Sequence, residues 1–568
     1  MIVENYRYLD HLEGNSTMTN QNADICREYV EAVFQRARHE MEPKNFHPNW
    51  DDQPSRYKVY QQVERLPLPF ALPTTFPSMA TVMEHLRHPQ RVPQALTYEE
   101  LSTILLLAHG AINRRLDVNW NRDVYDRARY IHANFGRGTA SGGGMYPTEI
   151  FWACGPGGPL QSGIYHYDNA HHALARLYTG DLTRRIQAAL GEHPAAMSTN
   201  QFLFISLNFW KNSFKYNSFC YHVVTEDLGA LLGSLRLLAA SFGSDLQFLL
   251  WYPDEELNNL LGLETLFESV FAAIPLSLKG SSPDSTPLRD PAHSQIHLEK
   301  LHRPLFTRSS FQRSRTIIRF PTVERVHLAS LITDEPRPAR EEAQRTSCDE
   351  FAPSGVPIAL PQPATELLHC QVIEVFQKRQ SSFGRFSSHT PLTLSQFATL
   401  LYFASASGNY LTDLKAENGL PHMTRLMAFV NHVSDLERGV YAYDWQQHSL
   451  CPVARGDFSL FLQQHYMLPN YNLAEIAALI VIVGRPEKML EVYGNRGLRI
   501  LNAEVGLMAQ SLYLAATALS FNCGAALGFD NIALNTALGL DGTDERSVLF
   551  LLMGNAPQGS AAFAAQLL

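Results

Sequence analysis

Three stretches of the chain carry residues whose types and spacing could do chemistry. In "FKYN", Lys215 precedes Tyr216. A lysine beside a partly buried hydrophobic ligand has its pKa lowered by desolvation and can act as a base near neutral pH; a lone lysine in water is only a surface charge. In "KRQSSFGRF", Arg379, Ser381 and Arg385 stand just before a helix. Two guanidiniums and a hydroxyl can chelate a phosphate through charge-assisted bonds, and the same residues also make an ordinary basic flank. In "GTASGGGMYPTEIF", Ser141 and the glycines Gly142, Gly143 and Gly144 lead through Met145-Tyr146-Pro147 into a strand, Glu149 to Ala153. Glycines let the backbone approach a planar ligand, and a serine with free N–H groups can bond its polar edge. It is neither a Walker loop, since no Gly-Lys-Ser/Thr follows, nor a dinucleotide fingerprint, since a strand follows it. As a bare pattern it reads first as a glycine turn.

Composition narrows the partners. A formal net charge of -9 gives no electrostatic footprint for nucleic acid. No apolar run approaches the roughly 20 residues of a membrane helix, and "MIVENYRYLDHLEGN" has no signal-peptide h-region. The 7 cysteines are scattered without CxxC or zinc spacing, which points to a reducing cytoplasm and no metal. Cys220 is a candidate thiol by position alone.

The elements that must position these residues come in two copies. "GIYHYD" at 163–168 returns as "GVYAYD" at 439–444, an offset of 276, and "GDL" at 180 as "GDF" at 456. Tyr216, His222, Asp227 and Gly229 return as Tyr493, Arg499, Glu504 and Gly506, offset 277, and "LGLE" at 261 returns as "LGLD" at 538. An offset held over so long a span marks two copies of one domain. Lys215 breaks the pattern, because its counterpart is Val492. Each copy opens with an amphipathic helix that starts in a capping box, "LTYEELSTILLLAHGA" or "LTLSQFATLLYFASAS". Strands and a longer helix follow, then a "LGL" turn and a last strand. This order predicts an α+β fold rather than a doubly wound α/β sheet. The expected organisation is an N-terminal arm at 1–90, domain 1 at 91–279, a Pro/Ser/charge-rich linker or covering segment at 280–366, and domain 2 at 367–568.

With these residues in view, the chain resembles the flavin-dependent nitroreductase superfamily. It is most similar there to the SagB/McbC-type azoline dehydrogenases of thiazole/oxazole-modified peptide pathways, including the cyanobactin oxidases. The resemblance spans most of the chain. "HPNWDDQPSRYKVYQQVERLPLP" resembles the lead-in of that group, and "SGGGMYPTEIF", with Met145, its Ser-x-Gly-Gly-x-Tyr-Pro loop. "FKYN" resembles its Lys-Tyr catalytic pair, "KRQSSFGRF" its Arg-x-Ser-x-Arg phosphate motif, and "GFDNIALNTALGLD" its later flavin-contacting segment, with Gly528 and Phe529.

The family binds FMN between two subunits, one supplying the Arg/Ser motif and the other the Ser/Gly loop. Here the first copy keeps "SGGGMYP" where the second has "NGLPHMTRL", and the second keeps Arg379, Ser381 and Gly528-Phe529 where the first has "MEHLRHPQRV". The resemblance therefore implies two fused nitroreductase-like domains, an intramolecular pseudodimer with one composite FMN site and an empty opposite site. One departure is Phe383, which stands where a basic residue is expected; Arg385 lies two residues on.

The activity implied is oxidation of a peptide thiazoline or oxazoline to the azole. Lys215 would take the ring α-proton, or set the ionisation of Tyr216; hydride would pass to the flavin, and oxygen would reoxidise it. A peptide substrate, the cyclodehydratase of the same pathway and further homodimerisation are the expected partners. Two other readings stand beside it: an FMN reductase that uses NAD(P)H on dehydroalanine or nitro groups, and a flavin-empty scaffold that presents a peptide.

Overall fold

The computed structural model describes residue 20 and residues 22–70, 72–89, 94–119, 129–281, 304–348, 355–382, 384–414, 422–557 and 564–567. The segment "MIVENYRYLDHLEGN", most of "KGSSPDSTPLRDP", Phe383 and the start of "NGLPHMTRL" lie outside them.

In chain order the strands of the first half are β1 (Arg65–Pro67), β2 (Asn113–Asn119), β3 (Arg129–Gly136), β4 (Thr148–Cys154), β5 (Gly163–Asp168), β6 (Ala173–Thr179), β7 (Gln201–Asn208), β8 (Gln247–Phe248) and β9 (Glu268–Pro275). Those of the second are β10 (Ile358–Ala359), β11 (Leu411–Thr412), β12 (Thr424–Val430), β13 (Gly439–Asp444), β14 (Ser449–Arg455), β15 (Ala478–Gly484), β16 (Asn522–Ala526), β17 (Arg546–Gly554) and β18 (Ala564–Gln566). Two antiparallel sheets result, ordered β1-β6-β5-β4-β7-β9 and β10-β14-β13-β12-β15-β17-β16. The second repeats the first and adds β16 at one edge. Even the register repeats: Ala153 pairs with Ile164 and Phe429 with Val440, and both partners are 276 residues apart. Every residue of β4 and β15 is buried, since each sheet is covered on both faces; β15 is an unbroken apolar run, and β4 buries Glu149 by pairing it with Lys211 and His166.

The helices are α1 (Asp24–Gln35), α2 (Met79–Arg87), α3 (Tyr98–His109), α4 (Thr183–Ala189), α5 (Pro194–Met197), α6 (Phe209–Tyr216), α7 (Cys220–Ala240) and α8 (Asp254–Leu260), then α9 (Pro321–Ala329) and α10 (Arg340–Gln344) between the copies. The second copy holds α11 (Val372–Lys378), α12 (Leu394–Ser405), α13 (Ser459–Gln464), α14 (Pro486–Tyr493), α15 (Arg496–Ala518) and α16 (Asn531–Ala537). Both expected capping boxes form, Thr97 with Glu100 and Thr393 with Gln396. The chain is thus α+β, built of two like units.

The units meet along α7 and α15. Here the repeated glycine is a matter of space: a Cβ on Gly229 would stand 1.9 Å from Ala503 O, and one on Gly506 1.9 Å from Glu226 O. Only glycine lets the two backbones cross so closely. The main apolar core draws on both units, with Leu228 and Leu231 from one and Val505 and Leu512 from the other, while smaller cores lie outside each sheet.

Segments flanking the copies brace this interface. Tyr29 of α1 donates to Ser218 O (2.9 Å) and accepts from His222 N (3.1 Å), holding the start of α7. Ser330, just after α9, bonds Tyr221 Oη at 2.8 Å. The arm runs along α6: Trp50 packs edge-on against Phe214, Lys211 Nζ donates to Arg56 O (3.3 Å), and Lys58 pairs with Glu268 (2.7 Å). Near the end of the described chain, β18 pairs antiparallel with β2 of the first unit. None of the helices among the described residues is long and apolar enough to cross a membrane.

Candidate active site

The first half of the site is built where α6 ends. Asn208 caps α6 by accepting from Lys211 N, and the chain turns sharply at Asn217, at φ 44°. That turn leaves Lys215 and Tyr216 at the end of the helix, against the glycine loop. Gly143 has φ 62°, in the left-handed region, and a Cβ there would stand 2.6 Å from Tyr216 Oη and 2.7 Å from Lys215 Nζ. Lys215 forms no ion pair among the described residues, and burial holds its ammonium below the ordinary lysine range. Tyr216 is pushed the other way, first by burial and then by the nearby Asp227 and Tyr471, so its phenol keeps its proton.

The loop before Gly143 is held from three directions. Asp227 of α7 accepts from Ser141 Oγ (2.8 Å) and Gly142 N (2.7 Å). Gln510, on α15 of the other unit and fully buried, accepts from Ala140 N (3.0 Å) and donates to Gly138 O (3.1 Å). Arg379 Nη2 donates to Arg137 O at 2.9 Å. Residues 242 and about 370 positions apart in sequence therefore shape one loop.

Arg379 brings in the second half. It follows α11 and is 2 % exposed, and its Nε and Nη1 have no hydrogen-bond partner among the described residues. Ser382 Oγ, 1 % exposed, is also unpartnered among the described residues. Its neighbour Ser381 bonds Tyr513 Oη (3.2 Å), which also takes Ala525 N (2.6 Å). Ser382 N is tied to Cys523 O on β16 at 2.9 Å. A Cβ on Gly524 would stand 2.8 Å from Ser382 Oγ and 3.7 Å from Tyr471 Oη, and Tyr471 in turn neighbours Tyr216. Arg379 is thus joined to the 137–143 loop, on which Gly143 abuts Lys215 and Tyr216, while Ser382 and Tyr471 both flank Gly524.

Buried donors without acceptors call for an explanation. Two guanidinium nitrogens and a hydroxyl left over three residues apart in the chain are the donor types that hold an anion such as a phosphate. The residues fit the phosphate of FMN, and the glycine loop, bare of side chains, fits the approach of a planar ring. Other residues singled out from the sequence fall elsewhere. Asn522 donates to the Arg385 carbonyl (2.7 Å), and partial burial lowers the Arg385 pKa. Met145 is buried in the main core. Gly528 O accepts from Met467 N (2.7 Å), and Phe529 is fully buried against Tyr466 and Phe550 in the outer core of the second unit. Cys220 is buried, and its thiol is pushed up by desolvation, so it is not an activated nucleophile.

Sequence reasoning did not single out Gln510, Ser382, Tyr471, Tyr513 or a role for Asp227. One signal was available: Gln510 stands at offset 277 from Gly233, a second break in the duplication beside Lys215 and Val492.

The sequence model described as the Nitroreductase family matches residues 422–555. A nitroreductase-type protein of Methanocaldococcus jannaschii is 30% identical over 151 residues, which is 26% of this chain and 73% of that protein. A crystal structure of a nitroreductase-type protein from Anabaena variabilis overlays 94% of this chain and 99% of its own with a TM-score of 0.68 at 20% identity, showing a shared fold. The E. coli microcin synthetase complex, solved with a truncated pro-peptide, covers 37% of this chain and 78% of its own at 17% identity and a TM-score of 0.27, too low to bear on function.

Proposed function

The chain belongs to the nitroreductase family, and on that premise we propose that it is an FMN-dependent dehydrogenase. It oxidises thiazoline or oxazoline rings of a ribosomal peptide to thiazole or oxazole, with oxygen as final electron acceptor. One observation carries the reading: a buried Arg379, with two nitrogens unpartnered among the described residues, bonds the same glycine loop that Lys215 and Tyr216 abut. Arg379, Ser381 and Ser382 would hold the phosphate, and Ser141 with Gly142, Gly143 and Gly144 would lie along the ring edge. When bound, FMN supplies a two-electron acceptor for hydride.

The rest of the chemistry falls to the chain. Desolvation favours neutral Lys215, so its amine can take the ring α-proton. Tyr216 keeps its phenolic hydrogen and serves as a hydrogen-bond donor, which favours the lysine as base. The overall loss from the ring is one proton and one hydride. A cyclodehydratase would supply the azoline peptide.

The test is reconstitution of the purified protein with FMN and an azoline-bearing peptide. The expected result is loss of two hydrogens per ring by mass spectrometry, with oxygen consumed. Rapid flavin bleaching by NAD(P)H with the peptide untouched would replace this reading with a reductase. A colourless protein that takes up no FMN would replace both with a scaffold.

A further inference from the structure

We propose that Asp227 is a positioning residue that sets, by gaining or losing one proton, the direction of the Ser141 hydroxyl. Its protonation thereby decides whether the 141–144 loop offers an O–H donor to the group bound against it. The identity of that group rests on the FMN reading above.

The inference follows from counting hydrogens. A serine hydroxyl has one hydrogen to give and lone pairs to receive. Ser141 Oγ already receives Tyr146 N–H at 2.9 Å, and it lies 2.8 Å from Asp227 Oδ2. Gly142 N–H goes to the other carboxylate oxygen, Oδ1, at 2.7 Å. An ionised Asp227 has no hydrogen, so the single Ser141 hydrogen must point at Oδ2. A proton taken from solvent onto Oδ2 reverses that bond: the carboxyl O–H donates to Ser141 Oγ, Oδ1 keeps the Gly142 bond, and the serine hydrogen is released toward the loop's open side. No other atom changes hands and no electrons move.

The surroundings allow this exchange near neutral pH. Asp227 is 6 % exposed and pairs with no cation among the described residues. Facing it are Tyr216 at the end of α6 and Cys220 at the start of α7; Glu226 is its neighbour on α7, 3.2 Å from His222. Lys215 stands beyond Gly143, Arg36 of α1 neighbours Glu226, and α15 presents the uncharged Gly506 and Gln510. Burial pushes the Asp227 carboxyl up to about 7 against the two bonds it accepts. The counterpart Glu504 accepts three donors, from Met423 N, Thr424 Oγ1 and Tyr410 Oη, around a position with no Lys-Tyr pair.

Two readouts test the proposal. In the protein without FMN, amide hydrogen exchange of the peptide spanning 138–146 is followed between pH 6 and pH 8 and corrected for intrinsic exchange. Wild type should show a protection step that Asp227→Asn lacks. With FMN added, the affinity or absorbance of the bound flavin should follow one proton with a midpoint near 7, changing by up to about tenfold per pH unit. The step should vanish in Asp227→Asn and Ser141→Ala, and persist at a displaced midpoint in Asp227→Glu. A wild-type step retained in Asp227→Asn, or in Ser141→Ala if the former does not fold, overturns the proposal. If wild type takes up no FMN, the functional reading fails while the exchange experiment still decides this one.

Discussion

The two sides of the α7–α15 crossing began as the same surface, and they now treat a buried guanidinium in opposite ways. On the side of the glycine loop, Arg379 is 2 % exposed and leaves Nε and Nη1 without partners among the described residues. On the other side, Arg236 stands 277 residues before Tyr513 and is 3 % exposed. Its two terminal nitrogens go to four carbonyls: Ala406 O (3.2 Å), Ser407 O (3.1 Å), Leu86 O (2.8 Å) and Asn409 O (2.9 Å). Leu86 lies near the end of α2, the counterpart of α11, whose end carries Arg379. The terminal nitrogens of Arg236 are thus satisfied by the protein's own carbonyls, while Arg379 has donors left over. A buried guanidinium that is satisfied reads as structure, and one with donors left over calls for an explanation.

The comparison can be broken by mutation. The largest effect is expected at Lys215, whose counterpart Val492 has no proton chemistry. Lys215→Ala should cut azoline turnover by about a thousandfold, as loss of a general base does, while the flavin spectrum of the purified protein stays. Loss of flavin together with turnover would make Lys215 structural.

Next come the two arginines, which should dissociate from one another. Arg379→Ala should weaken FMN binding by about a hundredfold, through loss of bonds worth roughly 1.5–3 kcal/mol each, with little cost to the stability of the flavin-free protein. Arg236→Ala should leave FMN affinity unchanged but lower unfolding stability by about 3 kcal/mol, since it strands four carbonyls. Fluorescence titration and denaturant unfolding read the two quantities, and equal behaviour of the two variants would end the distinction.

A smaller effect is expected at Gly143. Gly143→Ala places a Cβ at φ 62°, a strain of about 1–2 kcal/mol, and pushes Lys215 Nζ and Tyr216 Oη aside. Turnover should fall about tenfold, with FMN affinity changed less. The smallest is a slope. Asp227 is raised in the folded protein, so the folded state binds more protons than the unfolded one between about pH 4 and 7, and stability contributed there declines as pH rises. Asp227→Asn should flatten this part of the profile relative to wild type in unfolding measured across that window.

Much of the fold was legible because it is local or periodic. Capping boxes at Thr97 and Thr393 need only residues three apart, and strands such as "GIYHYD" and "ALIVIVG" announce themselves by alternation or unbroken apolarity. The N-terminal arm and the segment between the copies were less legible. Their helices α1 and α9 lack the side-chain caps of α3 and α12, and they owe their place to contacts such as Tyr29 on Ser218 and Ser330 on Tyr221. The pairing of β18 with β2 joins residues some 450 positions apart, and no local pattern signals it.

By itself the sequence determined the duplication, the order of elements in each copy, and the positions where the copies differ. These are properties of spacing, and spacing is what a chain displays. The tertiary structure alone decided that Arg379 reaches the carbonyl of Arg137, that Gln510 clamps the glycine loop from the opposite unit, that Arg236 fills the other side, and that Phe529 faces a core. Each of those depends on which groups burial leaves with a partner and which without. That balance exists only once water has been excluded from both units together.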